Sequence, residues 1–398
     1  MKSFRGKTRA FINNKTIQAI TMLPAAQKYL ERYAEPFVAQ QAATLSEAFD
    51  KGLSLTPSKR RTARYDCVLI IPAYNESTAF VRRLMHQAFD GQPSILVIIV
   101  INQPAGRHSQ TTRLNQRLWD FFDDTPYTQR AATRAFKLIE YAESGCDYLC
   151  IKQCEPGINP KHGVGYARKL GCDLAIHLML RGLIGTSWLY CTDADATLPR
   201  AYFDAAPLNA SYSAINYAFN HKLKKSDQAS HYQHAVAQAN ALYEKSLFYY
   251  RDGLKAAGSP YALTTLGSAM AIHPNYYCMA RGFPKRAGGE DFYLLNKLIK
   301  LAPVFTSEQV ISLKPRASNR VPFGTGPAVA NILHKKGLVD FDRRVFMHLK
   351  EWLDFLPALH NQCITDNIEI NATKAIAALS PETQKALATI KVNALLEH

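Results

Sequence analysis

The chain has 398 residues, 47% of them hydrophobic, and a formal net charge of +16, enough apolar material for one large domain or two smaller ones. The positive excess favours phosphorylated ligands and anionic headgroups, but it is scattered, with no arginine-rich tail or zinc-finger spacing, which disfavours nucleic acid as a partner. No apolar run is long enough to span a bilayer, the basic start MKSFRGKTRAFINN lacks the apolar core of a secretory signal, and eight cysteines show no disulfide framework, so a reducing cytoplasm is the expected compartment.

Residues 1–64 read as a helical N-terminal extension broken at Pro24 and Pro36, ending in the linker KGLSLTPSKRRTAR. From 65 the pattern changes. YDCVLIIPAY reads as a strand, and NESTAFVRRLMHQAF as a helix capped by Asn75 or Ser77. ILVIIVIN (95–102) is too short and too β-branched for a membrane span and reads as a buried strand. TTRLNQRLWDFF and TQRAATRAFKLIEYA read as helices, and CDYLCIKQ as a strand whose Cys146 and Cys150, with Cys154, share one face and pack there. GVGYARKLGCDLAIHLMLRG (163–182) is a long helix and SWLYCT (187–192) the next strand. A strand near 212–219, a helix over 228–257, the strand TLGSAMAIHP, the helix EDFYLLNKLIKL (290–301) and short strands in VFTSEQVISLKP follow. Strands alternating with helices predict an α/β fold with a mostly parallel mixed sheet flanked by helices over 65–325. Residues 326–398 read as a helical C-terminal appendage.

The stretch WLYCTDADATLP (188–199) places Asp193 and Asp195 where an apolar strand surfaces. Ligands of open α/β sheets bind beyond the carboxyl ends of the strands. In locally extended backbone, residues two apart point the same way. Two carboxylates so placed repel each other unless a cation sits between them. Hard oxygen donors with positions left for phosphate and water suit Mg²⁺ or Mn²⁺. A solvated turn, with Asp195 capping the next helix, is the plainer alternative.

Three further segments stand in order around this pair: VLIIPAYNES (68–77), GYARKLG (165–171) and GGEDFYLLNKL (288–298). Together with TDADA (192–196) they resemble the inverting glycosyltransferase family 2, which contains cellulose, chitin and dolichol-phosphate-mannose synthases and has the GT-A fold. The resemblance spans about residues 66–315. It implies that Pro72, Ala73, Tyr74 and Glu76 line a nucleotide pocket and that Arg168 contacts base or diphosphate. It also implies that Asp193 and Asp195 serve metal and diphosphate. In Glu290-Asp291 it makes Asp291 the general base that deprotonates an acceptor hydroxyl, with Glu290 beside it. Helix capping is the structural alternative for Glu76, Glu290 and Asp291, since negative charge is favoured at a helix start.

The chain departs from the family's pattern in several places. Asn102 stands where the family has an aspartate that reads the base, so the choice of uridine or guanosine stays open. The Asn of the family's A-R-N is Lys169 here, and no histidine follows ISLKPRASNR until His334. Water or phosphate is then expected to complete the metal shell. The segment RASNRVPFGTGPAV (316–329) carries Arg316 and Arg320 ahead of a glycine-rich turn into a helix start of the kind that receives anions; it reads as a flap over the diphosphate, with Arg320 assigned to the donor, as a clamp for a phosphorylated acceptor, or as a plain connecting loop.

The sequence therefore implies a metal-dependent transferase, using Mn²⁺ or Mg²⁺. A sugar would pass from a nucleotide-diphosphate donor to the hydroxyl of an acceptor that the sequence does not identify, a phosphorylated or lipid-linked compound being among the options. Peripheral contact with the inner face of a membrane through the basic residues is also expected. The competing readings are a sugar-phosphate nucleotidyltransferase, a retaining glycosyltransferase and a non-catalytic basic binding protein.

Overall fold

Two apolar runs, CVLIIPA and ILVIIVI, form the adjacent parallel strands β1 (Cys67–Ala73) and β2 (Ile95–Pro104). All of β1 and all but the last residue of β2 are buried, as strands covered on both faces are. The structure is a computed structural model that describes residues 25–50, 64–106, 110–123, 128–141, 145–205, 211–223, 230–318, 324–334, 337–338, 340–366 and 376–390. The chain divides into two units, Met1–Ala237 with Thr265–Ala330, and Gln238–Thr264 with Asn331–His398.

The first unit is an α/β layer structure. Besides β1 and β2 it contains β3 (Thr128–Ala132), β4 (Phe136–Glu140), β5 (Cys146–Ile158), β6 (Leu189–Cys191), β7 (Ala196–Thr197), β8 (Ala214–His221), β9 (Met270–Ile272) and β10 (Val304–Leu313). They make one sheet in the order β3-β4-β5-β2-β1-β6-β9-β8-β10-β7. Its centre, β5-β2-β1-β6, is parallel. β9 runs antiparallel to β6 and β8, and β8 and β10 are again parallel. The helices are α1 (25–32), α2 (Pro36–Asp50), α3 (Ala79–Met85), α4 (Gln110–Asp120), α5 (Gly163–Leu180), α7 (Pro274–Met279), α8 (Glu290–Leu298) and most of α9 (Thr325–Leu333). The long α6 (His231–Ala256) runs out of this unit into the second.

α5 lies across β1 and β2, and Gly171 is the point of closest approach. A Cβ there would sit 2.5 Å from the Ile70 side chain, so only glycine allows the helix this near the sheet. The N-terminal helices α1 and α2 belong to the same core, through Ala26, Tyr29, Val38, Leu45 and Phe49.

Three expectations need correction. TQRAATRAFKLIEYA is a hairpin, β3 and β4, not a helix. Phe136, Leu138 and Ile139 are buried beside β5, and the Thr133 hydroxyl accepts from the Ala135 and Phe136 N–H groups, which closes the turn. α3 is shorter than expected and starts after Thr78, while Asn75 sits at φ 56, outside any cap position. VFTSEQVISLKP gives one long strand with a bulge between Ser307 and Val310, not short ones.

The second unit contains the later part of α6, α10 (Arg343–Asp366) and α11 (Pro381–Thr389). Tyr249 and Tyr250 pack on Phe346, and Ile376, Leu379 and Leu387 meet Trp352 and Phe355. Ser380 caps α11 through the Thr383 N–H, and Glu351 accepts from both the Ser380 N–H and its hydroxyl. Among the described residues no helix is long and apolar enough to cross a membrane.

Candidate active site

The site lies at the carboxyl ends of the parallel strands. β1 ends in Pro72 and Ala73, both buried, and Tyr74 and Glu76 stand in the turn beyond it. Asn102, near the end of β2 and buried, donates through Nδ2 to the carbonyls of Ala73 (3.2 Å) and Val100 (3.3 Å). It thus ties the end of β2 to the start of the Tyr74–Glu76 turn. Asn115 of α4 extends the tie, donating to the Asn102 carbonyl at 3.1 Å and accepting from the Asn75 N–H at 3.0 Å.

β6 leads into the Asp193–Asp195 segment, which is a tight turn and not extended backbone. The Ala196 N–H donates to the Asp193 carbonyl at 3.1 Å, and Ala194 between the two acids is buried. The carboxylates are held by different partners. Arg168 Nη2 donates to Asp193 Oδ1 at 2.6 Å, and Arg316 Nη2 lies 2.9 Å from Asp195 Oδ2. Repulsion between the acids is thus met here by guanidiniums.

Arg168 is the centre of the arrangement. It is 2% exposed, and its Nε donates to Glu290 Oε1 at 2.9 Å while Nη2 serves Asp193. Its Nη1 is buried without a hydrogen-bond partner among the described residues. A buried donor left open is costly unless a ligand completes it. The guanidinium reaches this place because residue 267 is glycine: a Cβ there would lie 2.3 Å from Nη2.

Glu290 and Asp291 open α8 behind Gly289, whose φ of 70° suits glycine. Burial, and then the Asp291 charge beside it, push the Glu290 carboxyl up to about 7 against the pull of Arg168. Burial also raises Asp291, opposed by Arg168. One Asp291 oxygen accepts from the Phe292 N–H at 2.8 Å, so a cap-like bond is present as well. Asp193 differs in sign: burial pushes it up, but Arg168, Ser268 and Arg316 together hold it below the usual carboxylate range.

Several residues here escape a motif reading. Arg83 of α3 donates through Nη2 to the carbonyls of Ala194 (2.8 Å) and Ala196 (2.6 Å), and Gln87 donates to the Leu198 carbonyl at 2.6 Å. Arg83 from α3 and Gln87 from just beyond its end thus hold the acidic turn and the segment after it. Arg316 joins two motifs, with Nη1 2.9 Å from Glu76 Oε1 and Nη2 on Asp195. Glu76 is therefore an ion-pair partner. Arg320 lies outside the described residues.

Among the described residues no group of three or more His, Cys, Asp or Glu side chains converges as a metal site. The two aspartates nonetheless offer hard oxygens. Glu76, Asp193 and Asp195 face Arg168 and Arg316, and hard carboxylate oxygens of this kind fit Mg²⁺ or Mn²⁺, with water and phosphate completing the shell.

No protein-family model matches the chain, and no curated protein matches its sequence. Among solved structures, the mannosyltransferase PcManGT from Pyrobaculum calidifontis in complex with GDP-Man and Mn²⁺ aligns with 93% of this chain and 91% of that chain. The identity is 15% and the TM-score 0.37, a likeness too low to carry a functional argument.

Proposed function

We propose that the chain is a metal-dependent glycosyltransferase of the GT-A type, moving a sugar from a nucleotide-diphosphate donor to an acceptor hydroxyl with inversion. The observation that carries this reading is Arg168, whose one buried guanidinium joins Asp193 of the D-x-D turn to Glu290 of the E-D pair. The residues expected to hold the diphosphate and those expected to activate the acceptor thereby meet at one point.

In this reading Pro72, Ala73, Tyr74 and Asn102 border the nucleotide. Asp193 and Asp195 hold Mn²⁺ or Mg²⁺, which when bound supplies positive charge to the departing diphosphate. Arg168 fixes Asp193 for the donor. Asp291 takes the acceptor proton. Burial, which raises its carboxyl against the pull of Arg168, makes it a stronger base than an ordinary aspartate. Glu290 holds Arg168 and positions the acceptor. Residues 65–325 carry this chemistry, with 326–398 as an appendage. The acceptor is a phosphorylated or lipid-linked hydroxyl compound, met in the cytoplasm or at the inner face of an anionic membrane, in keeping with the basic chain.

The test is a melting series with a panel of nucleotide sugars, with and without Mn²⁺. One donor should raise the melting temperature by about 5 °C at a hundredfold excess over its Kd, and only with metal. If no nucleotide shifts the melt, while polyanions bind in a salt-sensitive way, the chain is a basic binding protein instead.

A further inference from the structure

The segment that follows β10 places a cation on the very carboxylates that the proposed donor complex needs. Arg316 stands three residues beyond Leu313, the last residue of β10. Its guanidinium is 2.9 Å from Glu76 Oε1 in the turn after β1 and 2.9 Å from Asp195 Oδ2 in the acidic turn. The backbone under it is held, since the Lys314 N–H donates to the Asp195 carbonyl at 3.3 Å. The side chain is held less firmly: it is 38% exposed, where that of Arg168 is 2% exposed. Arg316 can therefore rotate away without moving the strand, and Arg168 cannot.

We infer that Arg316 is a displaceable counter-cation: it occupies Asp195 in the ligand-free protein, yields that carboxylate to a divalent cation, and turns its fork onto the arriving diphosphate. The inference rests on the donor reading above. A guanidinium and a divalent cation on one carboxylate oxygen repel each other, so occupancy by one weakens the other. The planar fork that now spans two carboxylates matches the oxygens of a phosphate equally well. The same residue thus opposes metal alone and favours metal with diphosphate.

That change of sign is the test. Mn²⁺ binding is measured by electron paramagnetic resonance on the full chain, first alone and then with inorganic pyrophosphate, for wild type, Arg316→Gln and Arg316→Lys. Circular dichroism and melting curves check that each variant is folded. Arg316→Gln should bind Mn²⁺ alone about fivefold more tightly than wild type, the worth of a partly exposed ion pair. With Mn²⁺ present it should bind pyrophosphate about tenfold more weakly, with Arg316→Lys between the two. Mn²⁺ binding that is unchanged or weaker in Arg316→Gln overturns the inference, as does absence of Mn²⁺ binding in all three proteins. If the order of the variants holds but wild type binds neither GDP nor UDP, the counter-cation stands and the nucleotide-donor reading fails.

Discussion

Arg168 and Lys169 are neighbours on α5, both buried and both cationic, yet they serve opposite surroundings. Lys169 belongs to a closed network. Its Nζ donates to the Tyr29 hydroxyl at 2.7 Å and to Asp173 Oδ2 at 2.9 Å. Asp173 in turn accepts from the hydroxyls of Tyr29 (2.6 Å) and Tyr277 (3.1 Å) and from the Glu35 N–H (2.9 Å). This network fixes α1 and the start of α2 against α5. Arg168 belongs to an open one, with Glu290 and Asp193 on two sides and a buried Nη1 that has no hydrogen-bond partner among the described residues. A closed buried network specifies a fold, and an open one is shaped for something that binds. At 169 the chain thus uses a lysine as the anchor of its N-terminal helices.

The largest effect should come from the open side. Asp291→Asn keeps size but removes proton affinity, so transfer should fall by about a hundredfold to ten-thousandfold while donor binding, followed by calorimetry, is retained. The wild-type rate should also fall with falling pH at values above the usual aspartate range, because burial raises the Asp291 carboxyl. Glu290 and Asp291 titrate as a pair with raised values, and the base works only when ionised. An Asp291→Asn protein with near-normal transfer would remove the base from the account and point to a retaining reaction.

On the closed side, Asp173→Asn should cost about 3 kcal/mol of stability in denaturant unfolding. It strips Lys169 of its nearest carboxylate and leaves Glu35 at 3.9 Å. Donor affinity of the folded fraction should not change. A loss of affinity without loss of stability would mean that the two networks are one.

A smaller effect tests the boundary of the open network. Gly267→Ala forces a methyl group into the Arg168 guanidinium and should cost about 1–3 kcal/mol, with donor binding weakened because Arg168 is displaced. Unchanged donor binding in this variant would show that the position of Arg168 is not critical.

Much of this arrangement was legible in the sequence because it is local. PAYNES, the acidic turn and GGED each sit at the end of an element whose apolar pattern is plain, and their order along the chain carried the resemblance. What was not legible is pairing across the chain. Nothing near position 168 announces Glu290, 122 residues away, or the need for glycine at 267. Arg316 stands out in the sequence only as a basic residue ahead of a glycine-rich turn, and its two partners, Glu76 and Asp195, lie far from it along the chain. The β3–β4 hairpin was misread for a related reason. TRAFKLIEYA fits a helical spacing about as well as a strand, and what decides it is the edge of β5, which Phe136 to Ile139 cover.

The central claim, that α5 carries an open functional cation next to a closed structural one, is tested most directly by Arg168→Gln and Lys169→Met side by side. Each variant is titrated with nucleoside diphosphate and Mn²⁺ in a calorimeter and then unfolded in urea. The account predicts that Arg168→Gln loses nucleotide binding with the smaller loss of stability, because Glu290 can take up a proton near pH 7 when its partner is gone. Lys169→Met should keep nucleotide binding and lose about 3 kcal/mol or more of stability. Equal losses of both properties in the two variants, or nucleotide binding that survives Arg168→Gln, would contradict it.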